Sequence, residues 1–275
     1  MITVSRTALS PSPMNQNLNN SDLGYPMPNY VAAWKTYRTL SNEDDQIAKC
    51  ISRLVSIPDD KFRILDVGPG DGRVLVRTII RLDRMPSEVS FVEPYDKFAR
   101  ETVRGINFDR FAGKISPIVS RLEDCDDDDL AGHDLILCTH TAYFLTDAEF
   151  ERLLSLVDAG SRLIVIFDDP KSIFSRLWQR TAPSFYQNTQ RHRDRLENLD
   201  TDRFLVDKSM VSAEIGDPRN LRPEISNLVM SMLCYSDVED MPHHQLAEVN
   251  SLISEAQRES IISCVSSVYD IRPRV

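Results

Sequence analysis

The sequence predicts a doubly wound α/β fold, a mostly parallel sheet with helices on both faces, on three observations. Short runs that are apolar in the centre alternate with helix-like stretches from Phe62 onward. The first run, Ile64-Leu65-Asp66-Val67, enters the glycine-rich turn Gly68-Pro69-Gly70-Asp71-Gly72, and a second, Val89-Ser90-Phe91-Val92, ends on Glu93. Continuous apolar runs suit strands buried on both faces. A glycine turn after the first strand lets backbone approach a ligand at the carboxyl edge of such a sheet.

In chain order, residues 1–29 are rich in Ser, Pro and Asn, with Pro11, Pro13, Pro26 and Pro28, and are expected to form a flexible arm. Residues 30–57 are expected to form a helical cap. Within it Tyr30, Trp34 and Tyr37 are spaced four and three apart, which places them on one helix face. Ser41 with Asp44 is a capping pattern for a second helix carrying Ile47, Ile51 and Leu54, closed by Pro58.

Residues 58–275 are expected to form the core. Strands are placed at 62–67, 88–93, 115–119, 133–138 and 161–167, with helices between them. Thr146-Asp147 with Glu149 opens a helix through Phe150, Leu153, Leu154 and Val157, and Gly160 ends it. Asp169-Pro170 opens another through Leu177 and Trp178. Residues 203–213 and 264–271 alternate polar and apolar positions, as half-exposed strands do. The stretch 217–263 between them is too long for a hairpin loop and reads as a helical insertion.

Composition narrows the setting. A chain of 275 residues with 41% hydrophobic content can bury one large core. It has no apolar run long enough to span a bilayer and no signal-peptide pattern, so a cytoplasmic location is expected and no membrane partner. Cys50, Cys125, Cys138, Cys234 and Cys264 are scattered without C-x-x-C spacing and read as reduced thiols. A net charge of −10 argues against nucleic acid as a partner. No metal site is expected. The four aspartates 126–129 lack the spacing and glycine of a calcium loop, and His243-His244 has no third ligand in register. The oligomeric state is not legible.

The glycine spacing selects the ligand. A dinucleotide fingerprint G-x-G-x-x-G counted from Gly68 needs glycine at position 73, where Arg73 stands. Asp66 followed by Gly68, Gly70 and Gly72 is instead D-x-G-x-G-x-G, and in this the chain resembles class I S-adenosylmethionine-dependent methyltransferases. The resemblance implies a Rossmann-like sheet of seven strands whose sixth and seventh are antiparallel. It also implies S-adenosyl-L-methionine as cofactor and S-adenosyl-L-homocysteine as product. Asp66, Gly68, Pro69, Gly70 and Gly72 would line the cofactor, and Glu93, with Pro94 after it, would take the ribose hydroxyls. Asp124, after the third strand, would face the adenine amino group, and Thr139 the methionine end.

Two further stretches narrow the likeness. Tyr30-Val-Ala-Ala-Trp34-Lys-Thr-Tyr37-Arg-Thr-Leu40-Ser41-Asn-Glu43 is similar to the N-terminal region of histamine N-methyltransferases. Leu135-Ile-Leu-Cys-Thr-His140-Thr-Ala-Tyr143-Phe144-Leu145, with Ser161-Arg-Leu-Ile-Val-Ile-Phe167 and Ser175-Arg-Leu-Trp178, resembles their fourth and fifth strands and the helix that follows. The likeness implies an acceptor site of Tyr30, Trp34, Tyr37, Glu43, His140 and Tyr143, with Glu43 hydrogen-bonding the acceptor nitrogen. It also implies a polar residue on the last strand, which falls at Ser263.

His140 replaces a glutamine of those enzymes and is a candidate general base or donor. Glu43 in a first helical turn also suits the helix dipole, and aromatic residues at helical spacing also suit a core. The expected activity is methyl transfer to a small acceptor, at an amine or imidazole-like nitrogen. The alternatives are O-methylation of a carboxyl or hydroxyl group of a peptide or other natural product, with His140 as base, and a non-catalytic cofactor-binding regulator.

Overall fold

The structure is a computed structural model, and it describes residues 29–58, 61–107, 111–216, 218–236, 238–256 and 261–274. Residues 1–28 of the expected arm, and positions 217, 237 and 257–260 of the expected insertion, lie outside the described residues.

The apolar runs become the parallel strands β1 (Arg63–Val67), β2 (Glu88–Val92), β3 (Lys114–Ile118), β4 (Leu135–Thr139) and β5 (Arg162–Asp168). The alternating runs become β6 (Phe204–Gly216) and β7 (Ile261–Pro273). All seven join one sheet in the order β3-β2-β1-β4-β5-β7-β6, with β7 antiparallel to both of its neighbours. This is the Rossmann-like, seven-stranded, mostly parallel sheet that the sequence resemblance implies. The register sets Asp66 beside Phe91 on one side and Leu137 on the other. The strand order reverses between the parallel neighbours β1 and β4, so the connections that follow them lead to opposite faces and leave the crevice in which open α/β sheets bind ligands.

The first cap helix, α1 (Tyr30–Leu40), forms over the predicted residues. Its neighbour α2 (Glu43–Leu54) departs from the expected cap. Its N-cap residue is Asn42, and Ser41 Oγ accepts from Glu43 N at 3.0 Å without reaching Asp44. Asp44 is drawn instead to the guanidinium of Arg38, a charge-assisted pair that outweighs a local backbone bond. Asn42 Oδ1 accepts from Glu214 N at 2.8 Å and Ser41 bridges Ile215, so the helical pair is fastened to the end of β6.

The remaining helices are α3 (Arg73–Arg81), α4 (Asp96–Ile106), the short α5 (Asp127–Leu130), α6 (Asp147–Asp158), α7 (Ile173–Thr181), α8 (Pro183–Glu197), α9 (Pro223–Cys234) and α10 (His243–Ala256). The start of α6 is the predicted one, with a reciprocal Thr146–Glu149 capping box. That of α7 is not. Ser172 caps it, because Asp169 is taken by Ser267 Oγ at 2.7 Å on β7. The helix α8, with Pro183 in its first turn, has no counterpart in the sequence reading. Within 217–263, α9 and α10 are the expected helical insertion, and α9 packs against α1.

Two apolar cores cover the two faces of the sheet. One is built on Ile47, Ile51, Leu75, Ile79 and Phe91, and the other on Phe150, Leu153, Phe167, Leu177 and Val229. Among the described residues no helix is long and apolar enough to cross a membrane, and no group of three His, Cys, Asp or Glu side chains is arranged to hold a metal ion.

Candidate active site

A cavity of about 260 Å³ opens over the carboxyl edge of the sheet. The glycine turn after β1 forms its floor. Gly68, Gly70 and Gly72 adopt φ of +71°, +61° and +76°, a region that costs other residues roughly 1–2 kcal/mol. At Gly68 the tight approach is equally decisive. A Cβ there would lie 2.4 Å from Thr141 Cγ2, and Thr141 Oγ1 donates to Gly68 O at 2.9 Å. The loop after β4 is thereby pinned to the loop after β1.

Glu93 leaves β2 facing this loop. Its Oε2 accepts from Gly70 N and its Oε1 from Tyr95 N, each at 3.0 Å, which keeps one lone pair free on each oxygen. Burial pushes its carboxyl up to about 7, against the pull of those two N–H groups. Asp66, at 2 % exposure, is pushed up to about 8 by burial and by Glu93, and its Oδ1 is buried without a hydrogen-bond partner among the described residues. These are the features of a site built for a ligand bearing hydroxyls or a cationic group. Backbone is free to approach, two acceptors are aimed inward, and an orphaned carboxyl oxygen awaits a donor. The residues fit the nucleoside and amino-acid parts of S-adenosylmethionine.

Gly68, Pro69, Gly70, Asp66, Glu93, Pro94 and Thr139 all line this half of the cavity. Two expected cofactor residues do not. Asp124 is exposed in the 3₁₀ turn Leu122–Asp124, which turns Leu122 and Glu123 toward the cavity. Gly72 serves the backbone, as the left-handed N-cap of α3 packed on Thr102.

The other half is walled by the cap and the insertion. Tyr30, Trp34, Tyr37, Glu43, His140 and Tyr143 all line it. The Trp34 ring lies 5.3 Å from Phe98 and 4.3 Å under the Arg38 guanidinium. Arg38, with its side chain 7 % exposed, reaches Asp44 at 2.5 Å and Asp71 of the glycine turn at 3.3 Å, so it ties α1, α2 and the turn together. Phe185 stacks on Tyr235 of the insertion at 3.8 Å, and Trp178 meets Phe185 edge-on at 5.0 Å.

Glu43, 8 % exposed, accepts from Tyr37 Oη at 2.9 Å and from Ser266 Oγ at 3.4 Å. The expected Ser263 is exposed and pairs across to Glu214, so Ser266, three residues on along β7, is the polar group at this site. Beside Glu43 is His140, held at φ +53° by the turn after β4. Its Nε2 lies 3.3 Å from Glu43 Oε1, an ion-pair distance without hydrogen-bond alignment. Its Nδ1 is 2.7 Å from Tyr143 Oη, which donates in turn to Asp168 Oδ2 at 2.6 Å. Burial draws the imidazole's affinity for a proton down, but Glu43 and Asp168 outweigh it and the net shift is upward. Burial also raises Glu43, and there His140, Tyr37 and Arg38 prevail, so its carboxyl stays below the usual range. Burial pushes Asp168 up to about 6.

Asp168, Arg38 and Thr141 escape the sequence reading. Asp168 closes an apolar strand as Glu93 does, and that signal was present. Arg38 follows Trp34 by one helical turn, whereas nothing local marks Thr141.

No protein-family model and no curated protein matches the chain. Among solved structures, it is similar to the plantazolicin methyltransferase BpumL in complex with SAH, at 11% identity and a TM-score of 0.49 over 94% of this chain and 92% of that one. The plantazolicin methyltransferase BamL, with a triazolic desmethylPZN analog and SAH, gives 13% identity and a TM-score of 0.47 over 88% and 90%. The YcgJ protein from Bacillus subtilis gives 12% and 0.49 over 84% and 99%.

Proposed function

We propose that the chain is an S-adenosylmethionine-dependent methyltransferase acting on a small acceptor at a neutral nitrogen, an amine or imidazole-like group. One observation carries the reading: the glycine turn with Glu93, and the pair Glu43 and His140, face one another in a single cavity at the carboxyl edge of β1, β2 and β4. When bound, the cofactor supplies a methyl group on a sulfonium; the acceptor lone pair forms the new bond while the old bond's electron pair stays on sulfur.

The residues of the chain do the rest. Glu93 and the glycine turn hold the cofactor's ribose and amino-acid parts. Tyr30 and Trp34 confine the acceptor, and aromatic faces tolerate the positive charge that develops on its nitrogen. The Glu43 carboxylate, held ionised by His140 and Tyr37, takes the acceptor's N–H and so turns its lone pair toward the methyl group. Glu43 and Asp168 outweigh burial and raise the proton affinity of His140, which favours its protonated form and works against its use as a base for a hydroxyl acceptor. The buried carboxylates of Glu43 and Asp168 on the acceptor side disfavour a phosphate-bearing acceptor.

The test has two stages. Calorimetry with S-adenosylhomocysteine is expected to show binding to the purified chain. Labelled S-adenosylmethionine with a panel of amines, imidazoles, hydroxyl compounds and carboxylic acids is expected to label a nitrogen acceptor, and Glu43→Gln to reduce that labelling more than His140→Ala. Labelling confined to hydroxyl or carboxyl acceptors, with collapse on His140→Ala, would establish O-methylation instead. Binding without labelling of any acceptor would establish a regulator, and absence of binding would overturn the whole reading.

A further inference from the structure

We propose that Tyr143 and Asp168 are positioning residues that fix His140 as its Nδ1–H form, so that Nε2, the edge facing Glu43, is the nitrogen that gains and loses a proton. The inference rests on the methyl-transfer reading for its use in the reaction, but its geometry stands on the hydrogen-bond accounting around one hydroxyl.

Tyr143 Oη has one proton and two lone pairs. Asp168 N, a donor only, lies 2.7 Å from this oxygen and fills one lone pair. Asp168 Oδ2, an acceptor when ionised, lies at 2.6 Å and takes the one hydroxyl proton. His140 Nδ1 at 2.7 Å therefore meets the remaining lone pair, and it must bring the proton itself. Asp168 is fixed in turn, with Ser172 Oγ at 3.3 Å from its Oδ1 and Arg193 donating to its backbone carbonyl. The ring is thus locked through its Nδ1 edge by Tyr143 and, behind it, Asp168, both on the cavity wall.

Nε2 is left at 3.3 Å from Glu43 Oε1, buried and without an aligned partner, in a side chain that is 24 % exposed and lines the cavity. The charged and titratable groups around the ring are Glu43 from α2, Asp168 from β5, Tyr143 from its own turn and, more distantly, Arg38 from α1. In the protonated ring Nε2–H faces the Glu43 carboxylate; in the neutral ring the same atom presents a lone pair to the acceptor. Free imidazole side chains show no such restriction, because either nitrogen can carry the proton.

Nitrogen-15 NMR of histidine-labelled protein tests this, since the chain has only five histidines. Two of them are internal standards. His133 Nδ1 lies 3.0 Å from Leu130 O and His192 Nε2 lies 2.9 Å from Leu145 O, and a carbonyl only accepts. His133 is therefore an Nδ1–H reference and His192 an Nε2–H reference. His140 is assigned by loss of its signals in His140→Gln.

Above the His140 midpoint, the wild-type ring is expected to match His133, and Tyr143→Phe combined with Asp168→Asn to move it toward His192, since Asp168 Oδ2 at 3.6 Å can hold Nδ1–H when only the hydroxyl is lost. Asp168→Asn is expected to lower the midpoint by about one pH unit. A wild-type ring matching His192, or an Nδ1–H pattern retained in the double variant, overturns the inference. The wild-type spectrum decides by itself if either variant fails to fold. Calorimetry with S-adenosylhomocysteine on the same sample separates the two readings. Absent binding removes methyl transfer while the tautomer result stands, and binding with the wrong tautomer removes only the positioning role.

Discussion

Replacing Arg38 by alanine tests how the cap is fastened over the site. Arg38 holds Asp44 through two nitrogens, at 2.9 and 2.5 Å, with both side chains below one-tenth exposed. Asp71, its second partner, keeps Arg73 Nε at 3.1 Å and suffers less. Asp44 is left as a buried carboxylate beside Glu43. Removing one member of a buried pair costs roughly 3–5 kcal/mol, and protonation sets a ceiling. Neutralising a carboxyl of ordinary pKa near 3.8 costs about 5 kcal/mol at pH 7.5 and about 1 kcal/mol at pH 4.5.

Asp44 already sits above its ordinary value because burial outweighs Arg38, and loss of the guanidinium raises it further. A folded-state value above the unfolded one means that the protein is most favoured at low pH and loses stability as pH rises toward the folded value. Arg38→Ala is therefore expected to lose about 3–5 kcal/mol at pH 7.5 and about 1–2 kcal/mol at pH 4.5, relative to wild type at each pH. Adding Asp44→Asn should restore much of the loss at pH 7.5. Urea unfolding followed by tryptophan fluorescence and far-UV circular dichroism measures this. A loss below about 1 kcal/mol at pH 7.5, or a double variant no more stable than the single, would refute the argument.

Four other outcomes follow from the same geometry. With Glu93 in the proposed role, its ionised form accepts the ribose hydroxyls, so affinity for S-adenosylhomocysteine should rise as pH passes upward through about 7, and Glu93→Gln should abolish the rise; a flat wild-type profile by calorimetry contradicts the assignment. Glu93→Ala should weaken that binding by roughly 1–3 kcal/mol. Asp66 at about 8 and Glu93 at about 7 are raised above their unfolded values, so stability should fall as pH rises from about 5 to 8. Asp66→Asn should flatten that fall, and an unchanged slope in thermal unfolding would count against it. Gly68→Ala, with a Cβ against Thr141 and a left-handed backbone, should cost roughly 2–4 kcal/mol, and a chemical-denaturation midpoint equal to wild type would show the turn to be slack.

The sheet was legible because its signals are local. Apolar runs, a glycine turn and a carboxylate closing the second run fix which residues enter the crevice, and Glu93 and Gly68 lie where that pattern puts them. The first cap helix was legible for the same reason, since aromatic spacing is a property of the helix itself. The failures share one cause. Asp44 left its expected helix cap for Arg38, Asp169 left its expected helix start for Ser267, and Ser263 yielded to Ser266, each because a partner distant in sequence offered a stronger bond or a different register. Asp124 missed the cavity because a tight turn rotated its neighbour inward.

By itself, then, the sequence determined the doubly wound sheet, the glycine turn and Glu93 at its crevice, and the presence of Glu43 and His140. Only the tertiary structure decided that these two side chains stand 3.3 Å apart, that Tyr143 and Asp168 back the imidazole, and that Arg38 ties the cap to the glycine turn. The physical reason is range. Propensity and periodicity act within a few residues, whereas these contacts join α2 to the end of β4, and β4 to β5, by closing the chain on itself across separations no local pattern encodes.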